Sequence, residues 1–463
     1  MTRNFLALGS GEAAARIVAF AATVYIARVL GSEAFGIIGF ALAVILYLNR
    51  IADAGLELGL GVQLIAEDPD RIESIAPSLL TARVLLAALL AAGLAVLGLV
   101  VFPGAEGSVL ALYGLTLLAV GAGSRWILFG LERTRFVAGA RTAGELVMVG
   151  LVFWLVRTPE DLKAVPLAQF AGDALAALAF LWWLGRLGHR LRPRLDAAAI
   201  RPLLRRAAPL VGSALLGLMI YNSDLIFLRA FRGLRAVGLY AAAYALISFL
   251  SNLGTAYSMS LLPTLTRLGG EPRDRLDLYR TATVHVFAAG FPIAVGTTVL
   301  APGIIRLVFG DGYAGSALPL QILIWSVTLA LLRDVPVVAL MSEGREDRVL
   351  RLTAWATAAN LTLNVAVIPA FGLVGAAAAT VATEGTRMAL ARRDATRLGF
   401  TAPGAGRLAP PAIAGLVMGG ALVLGPAAPV WLAVPAGVVV YALGLLALGG
   451  VRVRRGGRPS LEL

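Results

Sequence analysis

Long apolar runs recur along almost the whole chain, each ended by a short cluster of polar residues. A helix needs roughly 20 apolar residues to cross the hydrocarbon core of a bilayer. The pattern predicts spans near 5–29, 34–57, 77–101, 108–131, 136–156 and 162–186. A second set lies near 203–229, 236–263, 278–300, 316–342, 350–369 and 373–390, and a final pair near 408–425 and 429–450. About fourteen helices result, with connecting segments of at most about 20 residues. The first run carries Glu12 and Arg16 inside its apolar stretch. A cleaved signal peptide has a shorter, uncharged core, so this run reads as an uncleaved first span.

Charge between the spans tests this division independently of hydropathy. Every second loop is basic: Arg71, then Arg133 and Arg135, then Arg186, Arg190, Arg192, Arg194, Arg201, Arg205 and Arg206. The alternation continues through Arg267, Arg273, Arg275 and Arg280, through Arg345, Arg348 and Arg351, and through Arg387, Arg392, Arg393, Arg397 and Arg407. Arg3 and the tail Arg452, Arg454, Arg455 and Arg458 join the same side, whereas the intervening loops hold little beyond Arg157, Lys163, Arg232, Arg235 and Arg306. The positive-inside rule then predicts a multi-pass protein of the cytoplasmic (inner) membrane with both termini cytoplasmic and an even number of spans.

The stretch GSEAFGIIGFALAVI, residues 31–45, is echoed without a gap by GLRAVGLYAAAYALI, residues 233–247. Gly31 meets Gly233, Ala34 meets Ala236, Gly36 meets Gly238, Ala43 meets Ala245 and Ile45 meets Ile247, at a constant offset of 202 residues. Both stretches join the first two spans of a set of six, on the outer face, so the repeat is parallel, about an axis along the membrane normal. The expected fold is an all-α polytopic membrane protein with two parallel six-helix lobes around a central cavity, followed by a C-terminal helix pair. The expected divisions are 1–200 for the N-terminal lobe and a basic linker, 201–402 for the C-terminal lobe, and 403–463 for the last pair and a basic tail. The linker RLGHRLRPRLDAAAIRPLLRR, 186–206, spaces Leu187, Leu191, Leu195 and Ile200 among arginines. It reads either as an amphipathic segment on the inner membrane surface or as a plain topogenic loop.

Composition narrows the chemistry. With 59% hydrophobic and 14% charged residues, the chain has too little polar surface for a soluble globule. The absence of cysteine removes disulfides, Fe–S clusters and thiolate zinc sites, and two histidines, His189 and His285, argue against metal catalysis. The net charge of +13 is almost wholly arginine, because Lys163 is the sole lysine. In a polytopic chain that balance points to cytoplasmic loops facing anionic lipid, not to nucleic acid.

Several stretches resemble a known family. ARVLGSEAFGIIGFALAVI after the first span and DAGLELGL after the second are similar to the opening of polysaccharide flippases, the Wzx-type branch of the MOP exporter superfamily. DLIFLRAFRGLRAVGLYAAAYALI, LVFGDGYAGSALPLQILIWSV and NLTLNVAVIPAFGLVGAAAATVATEG extend the likeness across both lobes. The resemblance implies a MATE-like arrangement, alternating access, and movement of a polyprenyl-diphosphate-linked oligosaccharide from the cytoplasmic to the outer leaflet. Implied partners are that substrate, anionic membrane lipids and other glycan-assembly membrane proteins. No cofactor is implied beyond H⁺ or Na⁺ as a coupling ion.

A charge near mid-bilayer costs at least about 2.5–3.5 kcal/mol on insertion scales, so each should face protein or a wet cavity. The spans contain Glu12, Arg16, Arg50, Asp53, Glu57, Arg83, Arg125, Glu145, Asp173, Asp224, His285, Arg333, Asp334 and Glu384. One reading has Glu12 with Arg16, and Arg50 with Asp53, as ion pairs holding helices together. The other has Arg16, Arg50, Arg83, Arg125 and Arg333 lining an aqueous vestibule for a diphosphate and acidic sugars, since guanidinium stays protonated and binds phosphate oxygens in pairs. Acidic residues in the same spans nearly balance them. Asp53, Glu57, Asp224 and Asp334 are the candidates for ion coupling, Asp224 equally a candidate for hydrogen bonding between lobes. Asn360 and Asn364 share a face and are expected to bond across helices; His285, Trp126, Phe129, Trp182 and Trp183 are expected to pack.

The competing functions are a cation-coupled multidrug antiporter and a lipid II flippase of the same superfamily. The first is disfavoured by the extra helix pair, the second by the opening between the first two spans. A membrane glycan polymerase or ligase ranks last, since its acid–base groups would need a substantial outer loop and the short ones here offer only Glu33, Glu106, Glu160, Asp161 and Asp311.

Overall fold

Helix is the only regular secondary structure among the described residues of the computed structural model. A backbone in hydrocarbon must satisfy its own hydrogen bonds, and helices do so within one segment. The structure describes residues 2–189, 191–269, 271–425 and 428–450, and their side chains except those of 2–16, 58 and 252–256. In chain order the helices are α1 (Thr2–Asp53), a π-helical turn (Leu56–Leu60), α2 (Gly61–Glu67), α3 (Arg71–Ser74), α4 (Ala76–Val101), α5 (Ala105–Ala122), α6 (Arg125–Gly130) and α7 (Thr134–Leu155). After a 3₁₀ turn (Pro159–Lys163) come α8 (Ala164–Arg186), α9 (Ala197–Arg232), α10 (Leu234–Arg267) and α11 (Pro272–Phe309). A second 3₁₀ turn (Asp311–Ser316) leads to α12 (Ala317–Ser342), α13 (Glu346–Arg397), α14 (Ala405–Leu424) and α15 (Val430–Ala447).

Twelve helical stretches among the described residues are long and apolar enough to cross a membrane. Two of them, in α1 and α13, are each a pair of helices run together across a glycine with non-helical backbone, Gly31 and Gly372. Dividing those two gives fourteen segments, with breaks inside the predicted gaps 30–33 and 370–372. The chain is a multi-pass, all-α membrane protein.

It forms two compact units, Met1–Gly238 and Leu239–Leu463, divided inside α10. In the first unit, α4 pairs with α5 and α7 with α8, while α1 packs on α5, α7 and α9. The two echoed stretches meet here. Gly31 (φ 77°, ψ 172°) and Gly233 (φ 82°, ψ 177°) share a backbone conformation that is nearly exclusive to glycine. Beyond them, a Cβ on Gly36 would stand 1.9 Å from the Leu234 carbonyl oxygen, and one on Gly238 would stand 1.7 Å from that of Ser32. Ser32 and Leu234 are themselves 202 residues apart, so the contact is reciprocal. That is a physical reason for the sequence repeating these glycines.

In the first unit, the π turn, α2, α3, α6, the end of α8 and the start of α9 contribute Leu56, Ile65, Ile72, Trp126, Ile127, Phe180 and Ile200 to one core. Leu187, Leu191 and Leu203 of the basic linker pack against it.

Two spans differ from expectation. The span at 34–57 stops at Asp53, because Ala54 (φ 51°) and Gly55 (φ 76°) leave the helical region before the π turn. The span at 108–131 is interrupted at Gly123, whose ψ is 120°, so that α6 follows as a separate short helix. Both breaks flank the site described below.

In the second unit α11 and α12 form a hairpin, α13 lies on α12, and α14 and α15 pack on α11. The Tyr441 hydroxyl on α15 donates to the Ala288 carbonyl at 2.6 Å, and the Thr328 hydroxyl on α12 donates to the Gly290 carbonyl at 2.9 Å.

Candidate functional site

The interruption after α1 folds the chain so that the Glu57 amide donates to both carboxylate oxygens of Asp53, at 3.2 and 3.3 Å. Two carboxylates four residues apart repel, and the arrangement holds because two arginines face them. Arg83 of α4 lies 3.4 Å from Asp53 and 3.6 Å from Glu57, and Arg125, the first residue of α6, pairs with Glu57. Arg83 also donates to the carbonyls of Gly123 (2.8 Å) and Val120 (2.9 Å) where α5 ends, the latter also accepting from the Gly123 amide. A single guanidinium therefore caps one helix end and faces two acids, which it and Arg125 neutralise together.

Across from this cluster, α7 and α8 approach closely. A Cβ on Gly144 would stand 2.4 Å from the Gly172 carbonyl oxygen, and one on Gly172 would stand 2.5 Å from that of Gly144. Arg141 and Glu145 on α7, and Gln169 and Asp173 on α8, are spaced i, i+4 and flank that contact. The Gln169 amide donates to Asp173 at 3.1 Å.

Between the two walls lies a cavity of about 410 Å³, wholly within the first unit. Asn49, Arg50, Asp53, Glu57, Arg125, Arg141, Glu145, Gln169 and Asp173 supply its polar lining, with Met148 and Phe180 among its apolar residues. Three arginines and four carboxylates line it, so its chemistry follows from which charges are already engaged. Asp53 and Glu57 are held by Arg83 and Arg125. Arg50 and Arg141 make no ion pair among the described residues. Two guanidinium groups thus remain available beside amide and carboxylate acceptors.

Of the residues expected at a vestibule, Arg50 and Arg125 line this cavity. Arg50 does not pair with Asp53; Arg83 takes that carboxylate instead. Arg83 is 1% exposed and stands behind the wall. The side chain of Arg16, like that of Glu12, lies outside the described residues. Arg333 belongs to the second unit, where it bonds Asp334 at 2.6 Å and Glu384 at 2.6 Å, and Arg387 reaches the other oxygen of Glu384 at 2.5 Å. The cavity beside that network is about 80 Å³. Asp53, Glu57 and Asp334 are in the clusters just described, and Asp224 is buried in α9 and lines neither cavity.

Arg141 and Gln169 escaped the sequence reading. An arginine one turn before Glu145 in an apolar helix was the available signal. Asn360 donates to Thr383 at 3.1 Å across the two halves of α13, whereas Asn364 donates to Asn360 at 3.1 Å within the first half. His285 lies with Nδ1 3.0 Å from the Tyr257 hydroxyl. Trp126 is fully buried, Trp183 stacks on Phe136 at 4.4 Å, and Trp182 is exposed beneath the Arg186 guanidinium.

A family model described as polysaccharide biosynthesis protein matches residues 1–269, more than half of the chain. Over 394 residues the chain is 24% identical to a protein of Shigella dysenteriae that carries the name O-antigen transporter, covering 83% of this chain and 97% of that one. It is 32% identical over 168 residues to a protein named flippase AglR of Haloferax volcanii, a match spanning about a third of each chain (34% of either). Among solved structures, the lipid II flippase MurJ in an inward closed conformation superposes with a TM-score of 0.80, over 95% of this chain and 98% of that one, at 12% identity. An inward-facing MATE family transporter of the MOP superfamily superposes with a TM-score of 0.63, over 83% and 95%, at 14% identity. At such identities the likeness concerns the fold, and the fold is the one that the resemblance implied.

Proposed function

This chain belongs to the polysaccharide biosynthesis protein family, and from that premise we propose that it is a flippase for a polyprenyl-diphosphate-linked oligosaccharide. The observation that carries the proposal is the cavity within the first unit, where Arg50 and Arg141, on two helices long and apolar enough to cross a membrane, make no ion pair among the described residues. Such groups are costly in a bilayer and are retained where they meet a substrate or water. Charge-assisted hydrogen bonds from guanidinium to phosphate oxygens are about twice as strong as neutral ones, which suits a diphosphate. Asn49, Gln169, Glu145 and Asp173 offer acceptors and donors to sugar hydroxyls. A volume of about 410 Å³ lies within the usual range of a small-molecule site, so the cavity takes the diphosphate and the first sugars, not a whole glycan.

In this mechanism Arg125 is shared. It pairs with Glu57, and an arriving phosphate competes for it, releasing Glu57 to take up H⁺ or Na⁺. Alternating access then moves the headgroup between leaflets without bond chemistry, so we assign no catalytic residue. We place the protein in the cytoplasmic membrane with both termini inside, supported by the alternation of basic loops. Arg83 and Arg333 are assigned to structure, because their guanidinium groups are committed to buried carboxylates. The name of the Shigella dysenteriae relative supports the substrate class, and that of the Haloferax volcanii relative supports a flippase.

A second proposal, a cation-coupled antiporter, rests on Glu145 and Asp173, two acids in the same cavity outside the Arg83–Arg125 cluster. Reconstitution in liposomes with a fluorescent polyprenyl-diphosphate oligosaccharide separates the two. Leaflet transfer above a protein-free control is expected. No transfer, together with exchange of a cationic drug under a proton or Na⁺ gradient, would overturn the flippase assignment.

A further inference from the structure

The basic linker is a built element with two faces. The Arg194 amide donates to the Thr81 hydroxyl at 3.2 Å and the Asp196 amide to the Ser78 hydroxyl at 3.3 Å, which anchors the segment to the first turns of α4. Asp196 then caps α9 by accepting from the Ala199 amide at 3.1 Å. Ile200, Leu203 and Ala207, spaced i, i+3 and i+7, turn inward, and Ile200 and Ala207 are buried. Arg201 and Arg205, on the opposite side of the same helix, are exposed, as are Arg192, Arg194 and Arg206.

The charges on the outer face are unbalanced. Arg192, Arg201, Arg205 and Arg206 make no ion pair among the described residues. The acids in reach are occupied: Asp196 caps the helix and lies 3.7 Å from Arg194, and Glu73 lies 3.7 Å from His189. Interleaved with the arginines are exposed apolar side chains, Leu195 at 56% and Leu204 at 39%. A water-soluble polyanion would give those leucines nothing to bury against, whereas a lipid surface receives both kinds of side chain. Because α9 itself runs on as a membrane-crossing helix, this face sits where headgroups begin.

We propose that the exposed face formed by Arg192, Arg194, Arg201, Arg205 and Arg206 is a docking surface for anionic phospholipid headgroups, with Leu195 and Leu204 entering the acyl boundary. It holds the start of α9 against the bilayer and enriches anionic lipid locally. The proposal needs only that these helices span a bilayer and stands apart from the identity of the transported substrate.

The chain contains no cysteine, so Ala198→Cys in the full chain accepts a single fluorophore on the exposed surface beside Arg201. In nanodiscs of phosphatidylcholine, quenching is measured from a small fraction of headgroup-labelled phosphatidylglycerol and, separately, from headgroup-labelled phosphatidylcholine. A local excess of the anionic lipid on the order of tenfold is expected, since each basic residue near an anionic surface contributes roughly fivefold. The excess should fall close to parity in labelled Ala198→Cys protein that also carries R201Q, R205Q and R206Q and, in labelled Ala198→Cys protein with all its arginines, in high salt. The salt series decides the matter even if the triple variant inserts poorly. Equal quenching by the two lipids, an excess that survives both salt and substitution, or loss of the excess on adding inorganic phosphate at constant ionic strength would each overturn the proposal.

Discussion

The polar clusters of the two units use the same residue types and end in opposite states. In the second unit Arg333 bridges Asp334 and Glu384, and Arg387 closes on Glu384, leaving a space of about 80 Å³. In the first unit Arg83 and Arg125 neutralise Asp53 and Glu57 in much the same way, but the cluster forms one wall of a cavity of about 410 Å³ in which Arg50 and Arg141 stay outside any described ion pair. Under the proposed function, buried ion networks would serve two purposes in one chain. A network whose members satisfy one another holds helices together, whereas one that leaves cations over can receive an anion.

The comparison can be broken most severely at Glu384. Glu384→Ala removes the fully buried carboxylate that Arg333 and Arg387 share and leaves Arg333 with Asp334, and a loss of about 3 kcal/mol or more is expected, read as a lower unfolding midpoint and reduced abundance in the membrane. Arg83→Ala comes next, at about 3 kcal/mol, because it exposes Asp53 and Glu57 to each other and uncaps α5; an unchanged melting profile would show that the wall does not depend on it.

Arg50→Gln and Arg141→Gln sharpen the contrast from the other side. Each should leave the unfolding midpoint nearly unchanged and lower leaflet transfer on the order of tenfold, since a hydrogen bond to a charged group is worth about 1.5–3 kcal/mol. A loss of stability without a specific transport defect would place them with Glu384. The smallest effect is expected for Gln169→Leu, which removes one hydrogen bond to Asp173, about 1 kcal/mol, and should slow transfer a few-fold.

Much of the fold was legible because hydrocarbon imposes a strict rule on sequence. Runs near 20 apolar residues become helices, and the predicted gaps at 30–33 and 370–372 contain the breaks at Gly31 and Gly372. The interruption at Gly123 was hidden, because it lies inside an apolar run and is stabilised by Arg83, 40 residues earlier in the chain. The site was half legible. Arg50 and Arg125 could be named from the cost of burying charge, but the partner of Asp53 could not. Spacing favoured Arg50, one turn away, and the folded chain brings Arg83 from another helix.

Hydropathy by itself determined the class, a multi-pass all-α membrane protein, and the set of costly charges within its apolar helices, because each is a statement about transfer from water to lipid. Which of those charges cancel and which remain open was decided only by tertiary structure. An ion pair requires side chains within a few ångströms, and in uniformly apolar helices the sequence does not say which face turns toward which neighbour. The close crossing at Gly144 and Gly172 brings Arg141 and Gln169 to the cavity, and the break after α1 delivers Glu57 to Arg125.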